Sequence, residues 1–220
     1  MANSMLEKRK YTFTVEGETE MWYLNWLKDT INSEVNRKCN VSIDVKVQQS
    51  PIAFVKTITK LSTPKVTHLC DLESNIKEHS DNFKNVLSEL KKASKQKNIQ
   101  YCLGYSNFSF ELWIVLHKIN CGSFCDRTKY ISCINKAYNK KYKNLREYKQ
   151  EDEFKKCLAQ LNLSDVKRAI VRAENIMKEK EELNCIKTQY KGFKYYTDNP
   201  ALSIHLAIKE ILVDCGLYKK

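Results

Sequence analysis

Acidic residues follow two of the strand-like segments in the N-terminal half of the sequence. Glu16 and Glu20 flank the turn after the first such segment, and Asp71 and Glu73 follow the third. If these two segments are parallel neighbours in a sheet, their carboxyl ends meet at one edge and bring the four carboxylates together. Carboxylates held close repel each other unless a cation lies among them, and oxygen ligands suit Mg²⁺ or Mn²⁺. The spacing therefore predicts a metal site that binds phosphate oxygens and activates water.

An ordinary structural interpretation competes with the metal site. Glu16, Glu18 and Glu20 lie where a helix would begin, and acidic side chains there are stabilised by the helix dipole. Asp71 would then be a simple turn residue. Gly17 favours the metal site, because a backbone beside phosphate must approach closely or adopt a positive φ. The convergence of all these acids on one predicted edge favours it as well.

Hydrophobic patterns predict the elements that position these carboxylates. Short runs of β-branched, aromatic or alternating apolar residues predict strands, and apolar residues at helical spacing predict the helices between them. The predicted strands cover residues 11–15, 41–47, 66–70 and 99–103, and the predicted helices cover 19–31, 51–61, 78–96 and 107–118. This alternation predicts an α/β fold with a mainly parallel sheet flanked by helices.

The second half of the sequence has a helical pattern rich in Lys and Tyr. The predicted helices cover 127–140, 150–161, 165–183 and 199–214. Ser164 is the expected N-cap of the third helix, and Asn199-Pro200 is the expected start of the fourth. We expect an α/β core over residues 1–120 and a helical extension over residues 121–220 that packs on it.

The charge balance indicates a polyanionic partner. The sequence contains 38 Lys and Arg against 26 Asp and Glu, a formal net charge of +12, and such an excess attracts nucleic acid. Lysines would neutralise phosphates while exposed tyrosines stack on unpaired bases, as in single-stranded RNA binding. The alternative is an ordinary Lys-rich surface whose tyrosines anchor helices. The candidate nucleic-acid-binding residues are Lys140, Lys141, Tyr142, Lys143, Lys191 and Lys194.

Two features indicate a reducing, cytoplasmic compartment. The N-terminal residues lack the apolar segment of a secretory signal, and no apolar run is long enough to span a membrane. The nine cysteines form no C-x-x-C pair, so we expect free thiols. A zinc cluster of His117, Cys121, Cys125 and Cys133 is disfavoured, because its spacing lacks paired knuckles.

Four blocks of the sequence resemble the RloB family of Toprim-fold proteins. The blocks are EGETE at 16–20, DLE at 71–73, SNFSFELWIVLH at 106–117 and DNPALSIH at 198–205. The third block is the most specific, and the resemblance extends from about Tyr11 to Leu212. Toprim proteins related to this family include OLD-type nucleases and AriB-like effectors of bacterial phage defence. The resemblance therefore implies a Toprim fold and a toxic, metal-dependent nuclease that cleaves RNA, including tRNA, or DNA beside an ABC- or AAA-type ATPase partner.

The resemblance also implies roles for the acidic residues. Glu16 would be the catalytic acid or base and a metal ligand, and Glu20 would be a second ligand. Asp71 and Glu73 would form the acidic doublet of the catalytic and metal site. The usual doublet of the family is Asp-x-Asp, so Glu73, with its longer side chain, departs from the pattern.

Glu111 and His117 are two further catalytic candidates. Glu111 interrupts an apolar helix pattern, so its burial would require a partner or a metal. It would be a further ligand, or it would orient Asn107 or His117. His117 would be a general acid for the leaving oxygen, or alternatively a helix-end histidine bonded to the backbone.

The rival function is a Toprim-like scaffold that binds nucleic acid or the ATPase partner without cleaving anything. The Asp-Leu-Glu departure favours this scaffold, and metal binding distinguishes it from a nuclease. An ATP-dependent enzyme is disfavoured, because the chain has neither a G-x-x-x-x-G-K-[ST] loop nor a G-x-G-x-x-G fingerprint. The sequence leaves the oligomeric state open, with a homodimer among the alternatives.

Overall fold

A four-stranded parallel sheet forms the centre of the fold. The computed structural model describes residues 6–47, 50–58, 65–121 and 127–219. The strands are β1 (Lys8–Val15), β2 (Asn40–Val47), β3 (Lys65–Leu72) and β4 (Gln100–Asn107), in the spatial order β2-β1-β3-β4. Strand β1 is paired on both sides, with Val15 opposite Val47 on one side and Leu69 on the other. The chain thus leaves β1 towards β2 and later returns to its other side, which makes the β1–β3 junction the point where the strand order reverses.

Helices alternate with the strands, as the sequence predicts. The helices that follow the four strands are α1 (Glu18–Ser33), α2 (Pro51–Thr57), α3 (Lys77–Gln96) and α4 (Glu111–Leu116). The predicted α/β fold with a parallel sheet is therefore confirmed. The last part of the predicted second helix, from residue 59, lies outside the described residues.

Apolar side chains cover both faces of the sheet. Leu69 belongs to one buried cluster, with α1, α4 and the later helices, and its neighbour Cys70 belongs to another, with α2 and α3. Because successive residues of a strand point to opposite faces, the two clusters lie on opposite sides of the sheet. Burial on both faces is the usual condition of an all-parallel sheet.

The second half of the chain supplies helices and a small hairpin. The helices are α5 (Tyr130–Tyr138), which follows a 3₁₀ turn at Arg127–Lys129, α6 (Leu145–Tyr148), α7 (Glu151–Leu158), α8 (Leu163–Glu182) and α9 (Ile204–Asp214). Trp22 of α1 contacts Phe154 of α7, with ring centroids 5.9 Å apart. The later helices therefore pack against the first half of the chain.

The hairpin of β5 (Lys187–Tyr190) and β6 (Phe193–Tyr196) was not expected from the sequence. Its strands have four residues each, too short for a clear alternating pattern. Lys191 and Gly192 have positive φ values of 52° and 94° and form the turn. Two consecutive residues of this type are typical of a tight hairpin, and glycine adopts such angles at little cost.

Helix α9 begins at Ile204, so the prediction that Asn199-Pro200 starts it is wrong. The preceding segment runs beside β4 instead, where the Asn107 amide donates to the Ala201 carbonyl at 2.9 Å. Ser203 accepts from the Tyr105 amide at 3.0 Å and donates to the Leu103 carbonyl at 2.8 Å. These bonds hold the segment in an extended conformation, and they would be lost if the segment were helical.

Helix α4 is shorter than the predicted span of 107–118, because β4 is longer than expected. Strand β4 continues to Asn107, which pairs with Leu72 at the end of β3. The helix then begins at Glu111. The polar residues near the end of β4 therefore lie in the sheet and in the turn after it.

Asn162, rather than the predicted Ser164, caps helix α8. The Asn162 side chain accepts from the Asp165 amide at 3.1 Å, and the Asp165 side chain accepts from the Asn162 amide at 3.0 Å. This reciprocal capping box satisfies two amides that the helix itself leaves unpaired. Ser164 lies on the exposed side of the first turn.

Replacing the two candidate caps tests this assignment. Asn162→Ala should lower the free energy of unfolding by about 1 kcal/mol, because a helix amide loses its acceptor. Ser164→Ala, the matched control, should change it by less than about 0.5 kcal/mol. Urea unfolding followed by circular dichroism measures both values. A larger loss for Ser164→Ala than for Asn162→Ala would contradict the capping box.

Candidate active site

A cleft of about 560 Å³ opens at the carboxyl ends of β1 and β3. It lies where the strand order reverses, the position at which open α/β sheets commonly bind ligands. The acidic residues that line it are Glu16, Glu18, Glu20, Asp71 and Glu73, and the basic residues are His79, Arg127 and Lys149. Acidic and basic side chains therefore meet in one cavity, and the carboxylates lie on the side nearest the edge of the sheet.

Glu16 and Asp71 meet directly, although 55 residues separate them in sequence. Because Val15 is paired with Leu69, Glu16 leaves the end of β1 beside Cys70 and Asp71, which continue β3 and pair with β4. Glu16 Oε2 accepts a hydrogen bond of 3.1 Å from the Asp71 amide, and Asp71 Oδ2 accepts one of 3.1 Å from the Phe110 amide. Each bond occupies one oxygen of its carboxylate, and a carboxylate has a second oxygen to offer.

Glu20 folds back from the first turn of α1 into the same cleft. Its Oε2 accepts a hydrogen bond of 3.0 Å from the Thr19 hydroxyl, and the residue is almost fully buried. A β-carbon on Gly17 would lie 2.9 Å from Glu20 Oε2, so a side chain there would displace the end of Glu20. The φ of Gly17 is −134°, which any residue adopts. The glycine therefore leaves room for the Glu20 carboxylate, and its backbone angle does not require it.

Lys149, which follows α6, reaches into the acidic group. Its Nζ lies 3.0 Å from Oε1 of Glu111, a residue with no exposed surface, whose Oε2 accepts from the Ser109 hydroxyl. Nearby carboxylates, Glu111 first, then Glu20 and Asp71, outweigh the effect of burial and raise the pKa of Lys149. The lysine therefore remains charged and partly neutralises the cleft.

Lys149 was not among the site residues predicted from the sequence. It lies in a run of lysines and tyrosines, and its local sequence does not distinguish it from its neighbours. Only the fold shows that this lysine, and not Lys143, points into the cleft.

Glu16, Glu20 and Asp71 have raised pKa values. Burial, reinforced by the charges of Glu20 and Glu73, raises the pKa of Glu16 to about 7. Burial is also the largest cause of the raised pKa values of Glu20 and Asp71, with repulsion by neighbouring carboxylates adding to it. Lys149 offsets only part of this repulsion. An added cation would therefore be bound favourably at this position.

The donor atoms of the cleft suit a hard divalent cation such as Mg²⁺ or Mn²⁺. Glu16, Glu20 and Asp71 supply carboxylate oxygens, the ligands that these ions prefer. Within the described residues, however, no three Asp, Glu, His or Cys side chains are close enough, as they stand, to coordinate one ion. The cleft thus fits such an ion in donor type and in charge, and its side chains would have to move to surround it.

Glu73 points towards the outer part of the cleft. It forms an ion pair with Arg127 at 2.7 Å, and its other oxygen lies 3.3 Å from His79 Nε2. The second acid of the Asp-Leu-Glu doublet therefore contacts two basic side chains. Asp71, the first acid, lies deeper, between the Phe110 amide and Glu16.

His117 does not line the cleft, so its predicted role as general acid is not supported by its position. Its ring nitrogens contact the Trp113 carbonyl at 2.9 Å and the Tyr23 hydroxyl at 3.1 Å. Burial lowers the pKa of His117 to about 4, which keeps the ring neutral. His117 thus matches the alternative prediction, a histidine at the end of a helix that is hydrogen-bonded to the backbone.

The zinc cluster that the sequence disfavours would consist of His117, Cys121, Cys125 and Cys133. Of these residues, Cys125 lies outside the described residues.

The predicted nucleic-acid-binding residues divide into two groups. Tyr142 is only 7% exposed, and its hydroxyl donates to the Glu153 carbonyl at 3.2 Å, so the prediction that it stacks on bases is wrong. Tyr142 anchors a turn instead, because burying its aromatic ring is more favourable than leaving the ring exposed to water. The lysines are exposed or partly exposed, and their contact with nucleic acid stays a prediction; they are Lys140, Lys141, Lys143, Lys191 and Lys194.

The fold and the cleft define an α/β protein with an acidic, lysine-containing cavity at the carboxyl edge of a parallel sheet. The family model of RloB-like proteins matches residues 11–211, so the chain belongs to that family, as its sequence blocks indicate. No curated protein and no solved structure matches the chain significantly. Among the helices of the described residues, none has the length and apolar character needed to cross a membrane.

The raised pKa of Glu16 predicts that removing its charge stabilises the protein at high pH. The folded state binds the Glu16 proton more tightly than the unfolded state, so stability is lost as pH rises from about 4.5 to about 7. Glu16→Gln should therefore be more stable than wild type by about 1 to 3 kcal/mol at pH 8, and nearly equal to it at pH 4. Urea unfolding at both pH values measures this difference.

Glu18→Gln is the matched control, because Glu18 is an exposed carboxylate in the same cleft. It should differ from wild type by less than about 0.5 kcal/mol at either pH. Equal pH profiles for wild type and Glu16→Gln would contradict the burial of a strained charge at residue 16.

The ion pair of Lys149 predicts the opposite effect when the lysine is replaced. Lys149→Met should lower the free energy of unfolding by about 1 to 3 kcal/mol at pH 7, because buried Glu111 loses its cation. Lys143→Met removes the same charge from an exposed position and should cost less than about 0.5 kcal/mol. Thermal and urea unfolding compare the two variants. Equal stabilities would show that Lys149 does not neutralise the cleft.

Proposed function

We propose that this RloB-like protein is a metal-dependent Toprim nuclease that cleaves phosphodiester bonds in RNA, with tRNA as the first candidate substrate and DNA as the second. One observation carries the proposal. Glu16 and Asp71, from two separate strands, meet in a cleft where the pKa of Glu16 is raised to about 7. Acidic groups with such shifts in a cavity are typical of catalytic sites.

The resident ion of the proposed nuclease is Mg²⁺ or Mn²⁺. Glu16, Glu20 and Asp71 would hold it. When bound, it would neutralise charge on the phosphate and make water more acidic. Its positive charge would also replace the protons that the crowded carboxylates now retain.

Glu16 would act as the general base. With the ion present, Glu16 would be ionised at neutral pH, so it could accept a proton from water or from a hydroxyl group. Its hydrogen bond to the Asp71 amide keeps the carboxylate at the edge of the sheet. Asp71 is in turn held by the Phe110 amide.

The basic residues of the cleft would position the phosphate. Lys149 carries its charge beside the carboxylates, and Arg127 lies at the outer part of the cleft on Glu73. A guanidinium binds phosphate oxygens through two parallel hydrogen bonds, and an ammonium binds them as a point charge. An incoming phosphate would compete with Glu73 for Arg127.

The partner and the biological role are proposed from the resemblance. The net charge of +12 and the exposed lysines favour nucleic acid as the substrate. The protein would act in the cytoplasm as the toxic effector of an antiphage abortive-infection system. An ABC- or AAA-type ATPase would be its partner.

A scaffold that binds nucleic acid or the ATPase without cleaving is the second candidate. The observation that favours it is Glu73, which pairs with Arg127 and His79. In the usual doublet both acids would belong to the metal site. A scaffold has no need of a divalent ion, so metal binding separates the two candidates.

Metal titration and cleavage assays test the nuclease. Wild-type protein should bind Mn²⁺ in a calorimetric titration, and Asp71→Asn should bind it at least about tenfold more weakly, since a ligand oxygen loses its charge. With Mg²⁺ or Mn²⁺ and a tRNA substrate, Glu16→Gln should cleave at least about 100-fold more slowly than wild type.

Glu18→Gln is again the control and should resemble wild type in both assays. Circular dichroism should show that all variants are folded. Absence of Mn²⁺ binding by the wild type would favour the scaffold. Equal cleavage by Glu16→Gln and wild type would remove Glu16 from the mechanism.

A further inference from the structure

Helix α9 crosses one face of the sheet from β4 at one edge to the start of β2 at the other. Its apolar residues belong to the buried cluster on that face. Polar contacts along its length reach each strand in turn. From the start to the end of the helix these are Ser203 with Leu103 on β4, Glu210 with Lys65 on β3, Asp214 with Tyr11 on β1, and Cys215 with Lys38 just before β2.

Two cysteines face each other at the final contact of this helix. The sulfur atoms of Cys39 and Cys215 are 3.3 Å apart, and 176 residues separate them in sequence. Their exposures are 1% and 0%, so both thiols are enclosed by the fold. The Lys38 amide donates to the Cys215 carbonyl at 2.8 Å and holds the two backbones together.

The geometry requires little movement to join the two sulfur atoms. A disulfide bond is about 2.05 Å long, so the sulfurs would have to approach by about 1.2 Å. The hydrogen bond between the Lys38 amide and the Cys215 carbonyl already holds the two segments side by side. Burial and the adjacent Cys39 thiol raise the pKa of Cys215 to about 12, so it is held as a thiol at neutral pH.

We propose that Cys39 and Cys215 are a site of oxidative modification, at which peroxide forms a disulfide that fastens the end of α9 to the start of β2. Cys39 Sγ attacks an oxygen of hydrogen peroxide while the thiol proton passes to the leaving oxygen; the O–O bond breaks, and sulfenic acid and water are formed. The second sulfur attacks the sulfenic sulfur, forming the S–S bond and releasing water. Two thiols and one peroxide thus give one disulfide and two water molecules.

The disulfide would fix the last contact of α9, which at present consists of hydrogen bonds and packing. A cross-link between residues so far apart in sequence removes much of the freedom of the unfolded chain. The start of α9 is already bonded to β4 through Ser203. The oxidised protein would therefore have its two edge strands connected through one helix whose ends are both fastened.

Oxidation of the folded wild-type protein tests this site. Reduced protein is treated with millimolar hydrogen peroxide, quenched, alkylated after denaturation, and analysed by peptide mapping. A Cys39–Cys215 cross-linked peptide, two hydrogen atoms lighter than the separate peptides, is expected. The melting temperature should rise by about 5 to 15 °C and return to its original value with reductant.

Single substitutions show which thiols form the cross-link and raise the melting temperature. Cys39→Ser and Cys215→Ser should each lose both the cross-linked peptide and the rise in melting temperature. Cys157→Ser, which removes a buried thiol that contacts Tyr142, should retain both. Recovery of Cys39 and Cys215 as separately alkylated or over-oxidised residues would overturn the proposal. A cross-link that leaves the melting temperature unchanged would overturn the stabilising role assigned to it.

Discussion

Burial of several carboxylates together in one cleft is the constraint on which the site depends. Glu16 and Asp71 are brought together by the pairing of β1 with β3, and Glu20 joins them from the first turn of α1. Two backbone amides and the Lys149 ammonium offset the cost of this burial in part, and burial, with the charges of Glu20 and Glu73 adding to it, still raises the pKa of Glu16 to about 7. Such an arrangement adds no stability to the fold, and buried acidic groups with raised pKa values in a cleft are typical of functional sites.

The acidic edge could be predicted because periodicity and strand order determine it. Apolar runs of strand length mark β1 and β3, and in parallel strands the residues that follow them must emerge at the same edge. The contribution of Lys149 could not be predicted in the same way. It depends on how the segment around α6 packs onto the core, and no local pattern encodes that long-range contact. The same limit applies to Tyr142 and His117, whose burial follows from tertiary packing.

The C-terminal segment supports the site through β4. The Ala201 carbonyl accepts from the Asn107 amide, and the Asn107 side chain donates to the Tyr196 carbonyl at 2.9 Å. These bonds fix the end of β4, three residues before the Phe110 amide that holds Asp71. The prediction of a helix from residue 199 considered only local propensity, whereas the hydrogen bonds to β4 require an extended chain. The order of support thus runs from the segment before α9 through β4 to the acidic cleft.

The most direct test of a cation site formed by separate segments is a crystal structure with manganese. Crystals grown with Mn²⁺ and measured at a wavelength where manganese scatters anomalously would locate the ion without any assumption about activity. The account predicts an anomalous peak within coordination distance of carboxylate oxygens from Glu16 and Asp71, with Lys149 nearby. A peak confined to other residues, or no peak while Lys149 stays on Glu111, would contradict it.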